Sequence, residues 1–224
     1  MAMDPHRKAW NEEQQELQRL LAHPQDGEKA IRVFLDHHAG VHAAAMSGGD
    51  SWSFEDEVLD GLVEADYRIV PPKGEHSVAW NLWHLARIED VTMNILVAGT
   101  VPLFESQGWA KKLGTDIRET GNGLDPAGIA ALSAALDIPA LRAYRLAVGR
   151  RTDEIVKQLQ PGDFKQKVDP ARIERVIGSG AVVDSTRWLT DYWGGRTIAG
   201  LLLMPPTRHC FVHLNEIAKI KQKL

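Results

Sequence analysis

The chain has 224 residues, 44% hydrophobic and 25% charged, a globular composition that excludes a fibrous or disordered polymer and predicts one domain over 1–224. Its 26 Lys and Arg against 30 Asp and Glu leave a formal charge of −4, so no basic surplus exists to neutralise phosphates, and nucleic acid is not an expected partner. A lone cysteine, Cys210, excludes an intramolecular disulfide and a thiolate zinc ribbon and fits a reducing compartment, cytoplasmic by default.

The first residues lack the apolar core of a signal peptide. The longest apolar stretches, 97–104 and 198–206, fall far short of the roughly 20 residues of a membrane span, so no membrane partner is expected. Helical spacing dominates elsewhere. The pairs Asp4-Pro5, Asp125-Pro126 and Asp169-Pro170 each combine a capping carboxylate with a proline in the first turn. A first helix is predicted over 5–21 and a second over 28–45, with Ile31, Phe34, Leu35, His38, Val41 and His42 on one face. Ser53-x-x-Asp56 opens a short helix ending near 63. After the breaker Pro71-Pro72-Lys73-Gly74, residues 76–98 run without Gly or Pro and place Trp80, His84, Ile88, Val91 and Ile95 on one side.

A short helix over 105–113 interrupts an irregular stretch, and helices follow over 126–135 and 138–159. Helical pieces near 171–177 and 187–193 are separated by glycines, and 176–183 could close as a tight hairpin. Pro205-Pro206-Thr207 starts a last helix, whose Lys219, Lys221 and Lys223 suit the negative end of its dipole. Four segments of roughly 20 residues, at about 1.5 Å each, span about 30 Å, the length match of a four-helix bundle. The fold class is therefore all-α, a four-helix bundle with long crossover connections carrying extra short helices. No fixed-period repeat supports a solenoid.

Nine histidines are many for this length, and four of them form two i, i+4 pairs, His38 with His42 and His209 with His213. That spacing stacks both rings on one helix face, where they can share a metal ion. A single inward histidine is usually a satisfied core residue, but two buried imidazoles need partners for four ring nitrogens, and a shared cation supplies two of them. His84 also sits on a buried stripe, so three histidines from two helices make a metal site plausible. Periodicity does not separate the two pairs.

The run Trp83-His84-Leu85-Ala86-Arg87-Ile88-Glu89-Asp90 and the motif His209-x3-His213-x2-Glu216-Ile217 resemble the DinB/YfiT-like superfamily of four-helix-bundle metalloproteins. The resemblance implies a mononuclear site held by His84, His209 and His213. Three neutral imidazoles with open positions suit one divalent ion, Zn, Ni or Fe. Characterised relatives include thiol-dependent isomerases and S-transferases, which implies transfer of a low-molecular-weight thiol to a small electrophile, or hydrolysis of one. It also implies a homodimer, for which Trp10, Leu17, Leu20 and Leu21 of the first helix offer an apolar edge, unless that edge packs on its own bundle instead. In the related ergothioneine-pathway sulfoxide synthases the second motif is close to His-x3-His-x-Glu, whereas Glu216 lies one residue later here. The alternative reading is a non-catalytic metal- or small-ligand-binding bundle of a stress response.

Around this core, Glu216 either orients His213 or is solvated surface, and His38 and His42 either line the cavity as base or substrate contacts or pack in the core. Arg87 and Asp90 read as a surface or interhelical salt bridge and Cys210 as a buried structural thiol. Trp80, Trp83, Trp188 and Trp193 read as core, or as an aromatic wall beside the metal.

Overall fold

The Asp-Pro pairs cap helices where the sequence places them. In this computed structural model, which describes residues 4–49 and 51–224, the Asp4 carboxylate accepts the N–H groups of His6 and Arg7 ahead of α1 (Pro5–Leu21). Asp125 and Asp169 do the same for the helices Pro126–Ala135 and Pro170–Gly178.

The bundle is formed by α2 (Gly27–Ala39), α3 (Val78–Asp90), α4 (Ile138–Gln158) and α5 (Cys210–Lys221). α3 runs on as a π-helical stretch, Val91–Ala98, and another, Met204–His209, leads into α5. α2 packs on α4, α4 on α3, α3 on α5, and the π-helical lead of α5 closes the ring against α2. Helices consecutive in sequence, α2 with α3 and α4 with α5, therefore face each other across the diagonal. This is why their connections are long and carry short helices, among them Phe54–Leu59, Glu64–Arg68 and Trp188–Gly194.

Three expectations need correction. α2 ends at Ala39, not near residue 45, because the carbonyls of Gly40 and His42 accept from Phe54 N–H (2.9 Å) and the Ser53 hydroxyl (2.7 Å) instead of from the next helical turn. The 176–183 segment is no hairpin: it is helical to Gly178, and the described residues contain only an isolated bridge between Lys167 and Thr197. The predicted apolar stripe of α3 is also too narrow, since every residue from Val78 to Val97 is buried. It is the central helix.

The apolar edge of α1 is covered by its own chain. α1 packs on α2, with Trp10, Leu17, Leu20 and Leu21 buried, and Trp10 Nε1 donates to the His37 carbonyl at 3.0 Å. That edge therefore supplies no dimer face. The interior falls into two apolar clusters, one around Trp83, Leu141, Tyr144 and Leu214, the other around Phe34, Ile88, Val91 and Ile155. Between them, where α2, α3 and α4 converge, lies a buried polar layer of His38, Glu89, Arg145 and Thr152. Among the described residues no helix is long and apolar enough to cross a membrane.

Candidate metal centre

His84 sits mid-way along α3, His209 at the last π-helical position and His213 one turn further, in α5. Their ring centroids lie 4.6 to 4.8 Å apart pairwise, and each pair of ring planes is turned by 60 to 63°. The rings thus form a three-bladed pinwheel, offering nitrogen atoms all within 4.8 Å of one another.

The outer nitrogens fix what the inner ones can do. His84 Nδ1 lies 2.7 Å from the Thr120 carbonyl, which only accepts, so Nδ1 carries the hydrogen and Nε2 presents a lone pair. Gly121, at φ +92°, turns the chain there, and a Cβ on it would sit 3.0 Å from Trp80 Nε1. His213 Nδ1 faces Asn81 Oδ1 at 2.7 Å and Glu216 Oε2 at 3.4 Å, both acceptors, which fixes the same tautomer. Glu216 also accepts from His76 Nδ1 at 2.8 Å, and these two histidines hold its carboxyl well below the usual range although burial opposes them. Trp80 stacks on His84 at 4.7 Å and on His76 at 3.6 Å.

Burial and then the neighbouring His213 lower the His84 pKa to about 3, and burial together with His84 and His213 holds His209 well below the ordinary histidine value. Both rings are neutral at pH 7. His84 Nε2 and His209 Nε2 stand 3.0 Å apart, close enough for a His209 N–H to donate to the His84 lone pair, and His209 Nδ1 is buried and, among the described residues, unpartnered. Three imidazole nitrogens converging at a largely buried site fit a divalent transition metal.

The other pair meets a different partner. His38 Nε2 donates to Glu89 Oε1 at 2.9 Å and His42 Nε2 to Glu89 Oε2 at 3.0 Å. Thr152 Oγ1 and Arg145 fill the same carboxylate at 2.7 and 3.4 Å. His38 Nδ1 is held by Asp153 at 2.9 Å; burial alone would lower this ring, but Glu89 and Asp153 raise it to about 9. Burial and then Arg145 lower His42 to about 3. Against burial, the two histidines pull the Glu89 carboxyl well below its usual range. Glu89, His38 and His42 also offer metal-ligating atoms within 4.8 Å of one another, but hydrogen bonds already engage both Glu89 oxygens, and the Arg145 guanidinium opposes a further cation.

The structure therefore corrects the cavity-lining reading of His38 and His42. Both are fully buried in the polar layer, and among the described residues neither makes a hydrogen bond or ring contact with His84, His209 or His213. Arg87 and Asp90 do pair, at 3.6 Å, but buried and within α3 rather than at the surface or between helices, and Asp90 accepts the N–H groups of Leu103 and Phe104. Cys210 is buried, 3.4 Å from the Pro205 carbonyl, and burial pushes its thiol up to about 12, so it is no nucleophile at neutral pH. Sequence reasoning missed Asn81, Thr120, His76 and the hub role of Glu89. Only His76 had a signal, four residues before Trp80 and eight before His84.

Beside the histidines lies a cavity of about 210 Å³, whose lining includes His84, His209, Trp188, Tyr192 and Trp193.

The DinB superfamily model matches residues 50–189, well over half of the chain. The chain belongs to the DinB superfamily. The matched stretch of this DinB protein contains His84 and Glu89 but ends before His209 and His213, so the pinwheel joins one ring from inside the match to two from beyond it. No curated protein matches the sequence.

Proposed function

We propose that this DinB protein is a metal-dependent enzyme in which His84, His209 and His213 hold one divalent ion, Zn, Ni or Fe, and which transfers a low-molecular-weight thiol to, or hydrolyses, a small electrophile. The observation that carries the reading is the convergence of the His84, His209 and His213 nitrogens within 4.8 Å, with the Nδ1 atoms of His84 and His213 held by acceptors. When bound there, the ion supplies Lewis acidity that lowers the pKa of a thiol or water and polarises an electrophile.

The chain's own residues set the conditions. Thr120 and Asn81 hold protons at the Nδ1 atoms of His84 and His213 and so keep their Nε2 lone pairs inward. Trp80, buried against His84, excludes water from one flank. Glu216 holds the proton at His213 Nδ1 and connects that ring to His76, whose side chain is 21% exposed, a path to the surface.

The test is elemental analysis of protein purified without chelators or nickel affinity, followed by turnover of low-molecular-weight thiols with chloroaromatic and epoxide acceptors. Metal-dependent product supports the enzyme reading. Stoichiometric metal without product across the panel leaves a non-catalytic metal-binding bundle, and no metal at all removes the proposal.

A further inference from the structure

The 210 Å³ cavity beside the histidines is lined mostly by apolar and aromatic side chains. Its imidazoles and its amide come from His84, His209 and Asn122, and the Asn122 amide already donates to Thr120 Oγ1 at 2.9 Å. The rest is apolar or aromatic: Ile88, Leu189, Met204, and the rings of Trp188, Tyr192 and Trp193. Among the described residues no charged side chain lines it. Trp193 is buried, whereas Trp188 is 57% exposed, a large aromatic left in water at the cavity's edge. The guanidinium of Arg196 lies 4.1 Å from the Tyr192 ring centre and steadies that ring.

We infer that this cavity binds an uncharged ligand made of one aromatic ring and a short polar or electrophilic arm, the ring against Trp188, Tyr192 and Trp193 and the arm toward His84 and His209. The role of the arm rests on the metal reading above; the binding of the ring does not. Size sets the first limit, since an apolar cavity of about 150 Å³ takes a benzene molecule. The present volume accepts one substituted ring, not a fused polycycle or a peptide-sized thiol. Charge sets the second, because a carboxylate or an ammonium group lodged among the aromatic rings, away from His84 and His209, would lie unpaired and desolvated. The cavity is thus the seat of the electrophilic acceptor. The three rings, set beside the aliphatic Ile88 and Leu189, favour a flat π-system by offset or edge-to-face contact.

The experiment is a fluorine NMR titration of 4-fluorobenzyl alcohol into the full chain, metal-stripped and zinc-loaded, with cyclohexylmethanol as the saturated competitor of similar size. Saturable binding is expected in both states. Cyclohexylmethanol should compete about threefold more weakly, Trp188→Ala should weaken the probe about fivefold, and Trp188→Phe should stay within about twofold of wild type. Trp188 is largely exposed, so both variants should melt as wild type does, which separates lost binding from lost fold. No saturable binding, equal affinity for the saturated competitor, or a Trp188→Ala protein that binds as wild type would each overturn the inference. Metal content measured on the same samples keeps the two readings apart. Trp188-dependent probe binding without any metal uptake sinks the metal site alone, and metal uptake without probe binding sinks the aromatic pocket alone.

Discussion

Asn81, together with Glu216, fixes the tautomer of His213 from outside the ring cluster. Its Oδ1 accepts from His213 Nδ1 at 2.7 Å, while its Nδ2 donates to the Ser77 carbonyl at 2.9 Å, so the amide is held in one orientation. Truncation to alanine removes the nearer acceptor and leaves Glu216 Oε2 at 3.4 Å, without touching a ligating atom. Asn81→Ala should therefore lower metal affinity about 10- to 100-fold, the usual cost of losing an outer partner of a metal-ligating histidine. A competition titration against a chromogenic chelator measures it, and unchanged affinity would mean that the ring is not oriented this way. From the sequence Asn81 was one more residue on a helix with an expected polar face. Its role was invisible because α3 has no polar face, and what a buried amide touches depends on residues more than a hundred positions away.

At the level of elements, local rules were legible and tertiary ones were not. α1 and the helix Pro126–Ala135 begin and end where capping aspartates and the spacing predict, and α4 stops one residue earlier than expected. α2 was read too long because Val41 and His42 continue its buried periodicity, although they reach the core from a turn. The π-helical lead that places His209 has no sequence signature beyond Pro205-Pro206, where two missing N–H donors leave the Leu202 carbonyl to the Thr207 hydroxyl at 2.9 Å.

α4 shows how packing overrides propensity. A Cβ on Gly149 would stand 2.5 Å from Met46 Sδ and 2.6 Å from His42 Nδ1. Gly149→Ala should gain up to about 1 kcal/mol in helix propensity but lose about 1–3 kcal/mol to overpacking, because the atoms it meets are buried in the core. Net destabilisation in urea unfolding is the expected outcome. A stabilised Gly149→Ala protein would show that His42 and Met46 are free to move.

Across the whole molecule, a polar layer held between two apolar clusters ties stability to pH. Burial lowers His42 and His84 to about 3 from the ordinary 6.5 and lowers His209 too, so below pH 6.5 the unfolded chain takes up protons that the folded chain refuses. Each group then removes up to about 1.4 kcal/mol per pH unit. Glu89, depressed against burial by His42 and His38, adds stability that is present above its unfolded value and is lost as pH falls through its folded one. On the alkaline side His38, raised to about 9, contributes stability that is full below 6.5 and gone above 9. The metal-free protein should therefore be most stable near pH 6.5 and weaker in urea at pH 5 and at pH 9.5. His38→Gln should flatten the alkaline limb, and stability that rises between pH 6.5 and 5 would contradict the neutral-histidine account.

The same layer explains why two histidine pairs looked alike in sequence. Both point inward at i, i+4, and only the partners differ, Glu89 for one and His84 for the other, each supplied by α3. Metal stoichiometry in folded variants separates them most directly. Zinc titrated into wild type and into the His84→Ala, His209→Ala, His213→Ala, His38→Gln and His42→Gln proteins, each checked by circular dichroism and cooperative melting, should bind one ion per chain in wild type and in the last two. It should be largely lost from the first three. Retained stoichiometric zinc in folded His84→Ala, His209→Ala and His213→Ala, with loss in His38→Gln or His42→Gln, would place the ion at Glu89 and contradict the account.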